Sequence, residues 1–185
     1  MAKLKYWLWL ATRRGLGPAG VLMVLDHLTT PERAYYSEQE DFDPLPLPPA
    51  VKEALLDKGL EGVDRILDDC DRLSVDIMTF QDAGYPQRLK QLAVPPAVLY
   101  VKGRPFRFDE EVAIGVVGTR RPSQASQVRA GKIAMELTAA GALVVSGIAE
   151  GVDRCAVLGA LRGGGPVVSV LAGGVDQRFP HENRF

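Results

Sequence analysis

The stretch from Leu143 to Asp153, LVVSGIAEGVD, decides the fold. Its first four residues are apolar and partly β-branched, too short a run for a buried helix and the right length for a buried strand. Gly147 and Gly151 punctuate the turn that follows, and VDRCAVLGALR beyond it has helical spacing, with Val152, Cys155, Ala156 and Ala160 on the inward side. One strand therefore feeds one helix through a glycine-bearing turn.

The same pattern extends on both sides. Upstream, VAIGVVG (112–118) reads as a strand ending in GTRRPS, and QASQVRAGKIAMELTAAG as a helix with Val128, Ile133, Ala134 and Leu137 on one face. Downstream, PVVSVLAGG reads as a third strand, followed by the turn VDQRFPHENR. The order is βαβαβ. Short, continuously apolar strands alternating with helices predict a parallel sheet covered on both faces, joined by right-handed crossovers.

In such a sheet every strand-to-helix turn leaves from the carboxyl edge, so GTRRPS, SGIAEG and AGGVDQRFPHEN converge although they are far apart in sequence. Glycine permits close backbone approach, and amides at helix amino ends suit a phosphate. With Arg120, Arg121 and Arg178 on these turns, the expected ligand is an anion. Glu150 and Asp153 make the pocket mixed in sign; each can complement its own helix terminus or bind loop amides. A dinucleotide site would need GxGxxG, and GVVGTRRPS has two arginines where the third glycine belongs. Ser146, Asp153 and His181 all fall on carboxyl-edge turns, but Ser146 lacks the GxSxG elbow of a hydrolytic triad.

Residues 1–74 read differently. YWLWLATRRGLGPAGVLMVLDHL is an apolar-periodic segment broken at Gly15-Leu16-Gly17-Pro18, resembling a helix-hairpin-helix, and Trp7 and Trp9 are expected in a core. DFDPLPLPPA (41–50) carries four prolines and reads as a connector into VKEALLDKGLEGVDRILDDCDRL, with helical spacing at Val51, Leu55, Leu60, Val63 and Leu67. From about Ser74 the periodicity changes: VDIMTF and AVLYVKG read as strands around a short helical turn in YPQRLKQLAVPP. The expected division is a helical domain over 1–74 and an α/β domain over 75–185. The net charge of −1 conceals an asymmetry, 9 Lys and Arg against 13 Asp and Glu in 1–74, and 13 against 10 in 75–185. Basic excess in the second part fits an acidic partner there.

Other classes are set aside. No apolar run approaches the ~20 residues that span a bilayer, so no membrane association and a cytoplasmic location are expected. Cys70 and Cys155 lie far apart, and His27 and His181 flank neither, so no metal site and no cofactor are expected.

YPQRLKQLAVPPAVLYVKG, GVVGTRRPS, LVVSGIAEGVDRCAVLGAL and VVSVLAGGVDQRFPHEN, in this order, resemble the DprA family (also called Smf), DNA-processing proteins of bacterial natural transformation. The resemblance covers roughly 75–185; the helical part matches the family's small SAM-like amino-terminal domain loosely. It implies an extended Rossmann-like fold that binds and protects single-stranded DNA in a positive pocket and helps to load the RecA recombinase, without enzymatic turnover. Thr119 and Arg120 stand in the family's G-[ST]-R motif, Ser146 and Gly147 at its SG turn, and Phe179, Pro180 and Asn183 at its aromatic-Pro-x-x-Asn segment. With Arg178 and His181, these give the expected nucleic-acid-binding set Thr119, Arg120, Ser146, Gly147, Arg178, His181 and Asn183. Glu150 replaces a frequent arginine, Val157 a frequent histidine, and Ala125-Ser126 a Tyr-Gly pair, and a basic residue is common where His181 stands. The family's Rossmann-like domain runs on past HENRF, so the resemblance implies a longer protein, homodimeric through its later part. The competing class is a lysine-decarboxylase-like nucleotide phosphoribohydrolase; it requires PGGxGTxxE, and AGGVDQRFP has neither the threonine nor the glutamate.

Overall fold

The computed structural model describes residues 2–104 and 108–177. The chain forms two compact units, Met1–Arg104 and Pro105–Phe185.

In the first unit, α1 (Ala2–Ala11) buries Tyr6 through Leu10 consecutively, so this helix is enclosed around its circumference and carries both tryptophans into the core. Gly15 and Gly17, at φ 77° and 62°, turn the chain into α2 (Gly17–Leu28), whose first turn holds Pro18. α3 (Pro31–Tyr36) is capped by the Thr30 hydroxyl, and α4 (Gln39–Phe42) by a reciprocal Glu38–Asp41 box. The proline-rich connector ends at Pro49, which opens α5 (Pro49–Leu56).

The apolar spacing from Val51 to Leu67 is split between α5 and α6 (Glu61–Leu73). The Asp57 carbonyl accepts Trp9 Nε1 at 2.8 Å and Arg13 Nη1 at 2.9 Å, and its carboxylate accepts the Gly59 amide at 2.9 Å. These partners replace a helical ladder there. Next to them Lys58 Nζ donates to the Leu55 and Ala34 carbonyls and lies over the rings of Trp9, Tyr35 and Phe42. Burial pushes this ammonium below the usual lysine pKa.

The change of periodicity at Ser74 falls inside this unit. β1 (Asp76–Thr79) and β2 (Val98–Val101) pair antiparallel, with α7 (Gln87–Lys90) between them. Ile77, Phe80 and Val98 pack on the helical core and Ala97 is part of it, which ties the hairpin to the helices.

The second unit contains the predicted alternation: β3 (Ala113–Gly115), α8 (Gln124–Ala139), β4 (Leu143–Ser146), α9 (Val152–Arg162) and β5 (Val167–Ser169). The sheet is parallel, in the order β3-β4-β5. Two expectations are corrected. Among the described residues both helices pack on one face, around Val144, Ala134, Ala156 and Ala160, while on the other face Leu143 is buried but Ala113, Gly115 and Val117 are exposed, so that face is covered only in part. And of the expected α8 face Ala134 is buried and Leu137 packs on the core, but Ala130 and Thr138 turn inward in place of Val128 and Ile133, which are 65% and 52% exposed. Close helix approach is the reason: a Cβ at Gly159 would overlap the Gly131 carbonyl, so the α8–α9 contact admits only small side chains and the larger ones are displaced outward.

Candidate nucleic-acid interface

The parallel strands deliver their turns to one edge, and the three turns enclose a cleft of about 510 Å³. Arg120 comes from the first turn, Gly147, Ile148, Ala149 and Asp153 from the second turn and the start of α9, and Val170 to Gly174 with Gln177 from the third. The expected convergence is present. Ile148, Ala149 and Gln177 belong to turns that the sequence brings to this edge, whereas Val170 and Leu171 precede the third turn as the sequence delimits it.

What the opening turn holds is first of all another turn. Val152 N–H donates to the Thr119 carbonyl at 3.1 Å, and Gly118 N–H donates to Asp153 Oδ1 at 3.3 Å. Gly151, at φ 87°, lies against the Thr119–Arg120 backbone. Two further amides of the first α9 turn are engaged as well, Arg154 N–H with the Ala149 carbonyl and Cys155 N–H with that of Gly151. Three amides at the amino end of α9, the turn expected to cradle a phosphate, are thus taken by the protein's own acceptors. Anion-binding capacity in the cleft passes to the Arg120 side chain and the loop backbone.

Ser146 is buried, and its hydroxyl donates to the Val116 carbonyl at 2.6 Å, joining the ends of β3 and β4. It pairs with Ser169 in the sheet, where a buried hydroxyl requires a partner. With its proton engaged there and Asp153 bound to Gly118, the two do not form a nucleophile–base pair. Thr119 Oγ1 accepts the Arg121 amide at 3.1 Å, which shapes the first turn, and both Thr119 and Arg120 are exposed. Gly147 sits so close to Asp153 that a Cβ there would lie 2.6 Å from Oδ2. Glu150 is exposed and outside the cleft lining. The described lining carries one cation, Arg120, and one carboxylate, Asp153. Arg178, His181 and Asn183, together with Phe179, Pro180 and Arg184, lie outside the described residues. One further group stands out: Arg154 Nε is buried with no hydrogen-bond partner among the described residues. Among these residues no His, Cys, Asp and Glu group is placed to hold a metal ion, and no helix is long and apolar enough to cross a membrane.

Comparison with known proteins places this geometry. Protein Smf of Synechocystis sp. is 28% identical over 97% of this chain, which spans 46% of that protein; the chain covers about half the length of the curated relatives it matches. The X-ray structure of DNA processing protein A (DprA) from Streptococcus pneumoniae superposes with a TM-score of 0.73 at 24% identity, covering 97% of this chain and 62% of that one, and so shares its fold. DNA processing protein A from Helicobacter pylori, whose structure is described for a unique single-stranded DNA binding mode, matches with a TM-score of 0.51 at 30% identity over 58% of this chain and 48% of its own. The pattern of DNA recombination-mediator protein A matches residues 76–185, more than half of the chain and all three cleft turns, and the chain therefore belongs to this DprA/Smf family.

Proposed function

We propose that this chain binds single-stranded DNA in the carboxyl-edge cleft, with Arg120 as the phosphate-directed cation, and serves as the DNA-holding part of a protein that protects transforming DNA and hands it to RecA. The observation that carries the reading is the convergence of three turns on a cleft whose described cation is an exposed arginine. The single-stranded DNA binding described for the Helicobacter pylori relative supports it. A flexible single strand can bend its phosphates into a cleft of this size, whereas a stiff duplex presents them on a convex surface. Arg178, His181, Asn183 and the Thr119 hydroxyl complete the proposed contact set, Ser146 and Gly147 shape its floor, and self-association belongs to the longer protein. The role needs no turnover.

The test is competition binding at ~150 mM salt, near physiological screening. Labelled oligo-dT is titrated with protein against unlabelled oligo-dT, a hairpin duplex of matched length, and a nucleotide monophosphate, the last also followed for glycosidic cleavage. Displacement by oligo-dT well ahead of the duplex is expected. Equal competition by duplex refutes the single-strand preference, and release of free base from the monophosphate establishes the phosphoribohydrolase class instead.

A further inference from the structure

Asp153 is a puzzle for an anion site. Its carboxylate lines the cleft together with Arg120, and a negative charge there opposes phosphate. Its geometry supplies a reason for its presence. Oδ1 accepts the Gly118 amide, and Gly118 is followed directly by Thr119 and Arg120. The remaining ties between the first two turns act elsewhere: Ser146 Oγ holds Val116, before Gly118, and Val152 N–H holds the Thr119 carbonyl, after it. Among these side-chain and backbone ties, the Asp153 bond is the one that fixes the peptide at Gly118 itself. The carboxylate is held in turn against Gly147, where the absence of a Cβ leaves room for Oδ2.

We propose that Asp153 is a positioning residue for nucleic-acid binding: by accepting the Gly118 amide it fixes the Gly118–Thr119–Arg120 turn on the cleft rim and so presents the Arg120 guanidinium to a phosphate. The inference rests on the reading of the cleft as a DNA phosphate site. Two opposed effects then meet in one side chain. The charge weakens binding through space, and the hydrogen bond strengthens it through Arg120. A charged hydrogen bond exceeds a partly solvated charge–charge repulsion, so the positioning effect dominates.

The test is fluorescence anisotropy of labelled oligo-dT with variants at 153 in the Arg120 and Arg120→Ala backgrounds, with melting temperatures recorded throughout. Asp153→Asn keeps an acceptor oxygen in place and removes the charge, so binding tightens, by about threefold. Asp153→Ala removes both and weakens binding by about tenfold, a charged hydrogen bond's worth. Asp153→Glu keeps the charge but carries the carboxylate one methylene further, and also weakens binding; because it is the more conservative change, it decides the matter if the alanine variant does not fold. In the Arg120→Ala background the Ala and Glu losses disappear, which a merely structural role would not produce. The proposal is overturned if Ala and Asn tighten binding alike, if Glu binds like the unmodified protein, or if the losses persist without Arg120. Should Arg120→Ala alone leave binding unchanged, the site reading falls together with the proposal; an Arg120 effect without the Asp153 pattern overturns only the positioning.

Discussion

Gly151→Ala tests the packing of the first turn on the second, on which everything at the cleft depends. Gly151 sits at φ 87°, ψ −127°, and a methyl group there would lie 2.7 Å from the Arg120 carbonyl carbon, 2.8 Å from its Cα, and closer still to the Thr119 carbonyl oxygen. This φ and ψ lie outside the left-handed α region, in the mirror of the β region that glycine alone adopts readily, and cost an alanine about 1–3 kcal/mol. The overlap is with backbone, which no rotamer change relieves, and overpacking of this kind adds about 1–3 kcal/mol. Gly164 gives a positive φ without overlap, since it has φ 72° and a methyl group there would meet nothing within 4 Å, so Gly164→Ala should lose only about 1–2 kcal/mol. Both tryptophans, Trp7 and Trp9, lie in α1, so fluorescence reports the first unit and not β4 or α9 directly. Amide hydrogen exchange of β4 and α9 is the assay. Expected is a larger loss of protection in Gly151→Ala than in Gly164→Ala. Equal protection in the two variants would refute the packing argument.

Gly159→Ala places a methyl on the Gly131 carbonyl and should destabilise the second unit by about 1–3 kcal/mol, whereas Gly131→Ala meets only the Cys155 carbonyl at 3.4 Å and should be neutral or stabilising; thermal unfolding by circular dichroism compares them. The Tyr36 hydroxyl, 2.8 Å from that of Tyr6, together with burial pushes the Tyr6 pKa up to about 12. The folded state thus keeps a proton that the unfolded chain releases first, so this contribution to stability is intact below pH 10 and is lost as pH rises toward 12. Burial also raises Tyr85 and Tyr100, so ultraviolet titration should show several late-ionising tyrosines with Tyr6 the last, and Tyr36→Phe should bring that last step back toward the ordinary range. Glu150→Arg, at an exposed position beside the cleft, should tighten oligo-dT binding about two- to fivefold at low salt, with the gain fading as salt screens it.

The strands, their parallel order and the meeting of the three turns were legible because each follows from chain-local pattern combined with one topological rule. The buried tryptophans were legible for the same kind of reason, within an unbroken apolar run. The α8 face was legible only in part. Apolar periodicity selected Ala134 and Leu137, which pack on the core, together with Val128 and Ile133, which do not, because the distance between α8 and α9 favours alanine, glycine and threonine there, and that distance is a property of two helices together. The direction of Ser146 was readable in principle: strand alternation puts it on the side of Val144, facing the helices, where a hydroxyl turns to the backbone. That α9 would give its first amide to Thr119 was not readable, because the acceptor arrives from a turn some thirty residues earlier. The break at Asp57 is of the same kind, since its carbonyl is claimed by Trp9 and Arg13 of the distant first helix and its connecting turn.

The central claim is that Arg120 supplies the charge that holds single-stranded DNA at this cleft. Its direct measurement is the affinity of labelled oligo-dT for the unmodified chain and for Arg120→Ala across a salt series. Losing a phosphate-directed charged hydrogen bond predicts a weakening of about 1–3 kcal/mol and a salt slope smaller by about one unit, with the melting temperature unchanged because the side chain is exposed. Affinity and salt slope identical to those of the unmodified protein, at the same melting temperature, would contradict the account.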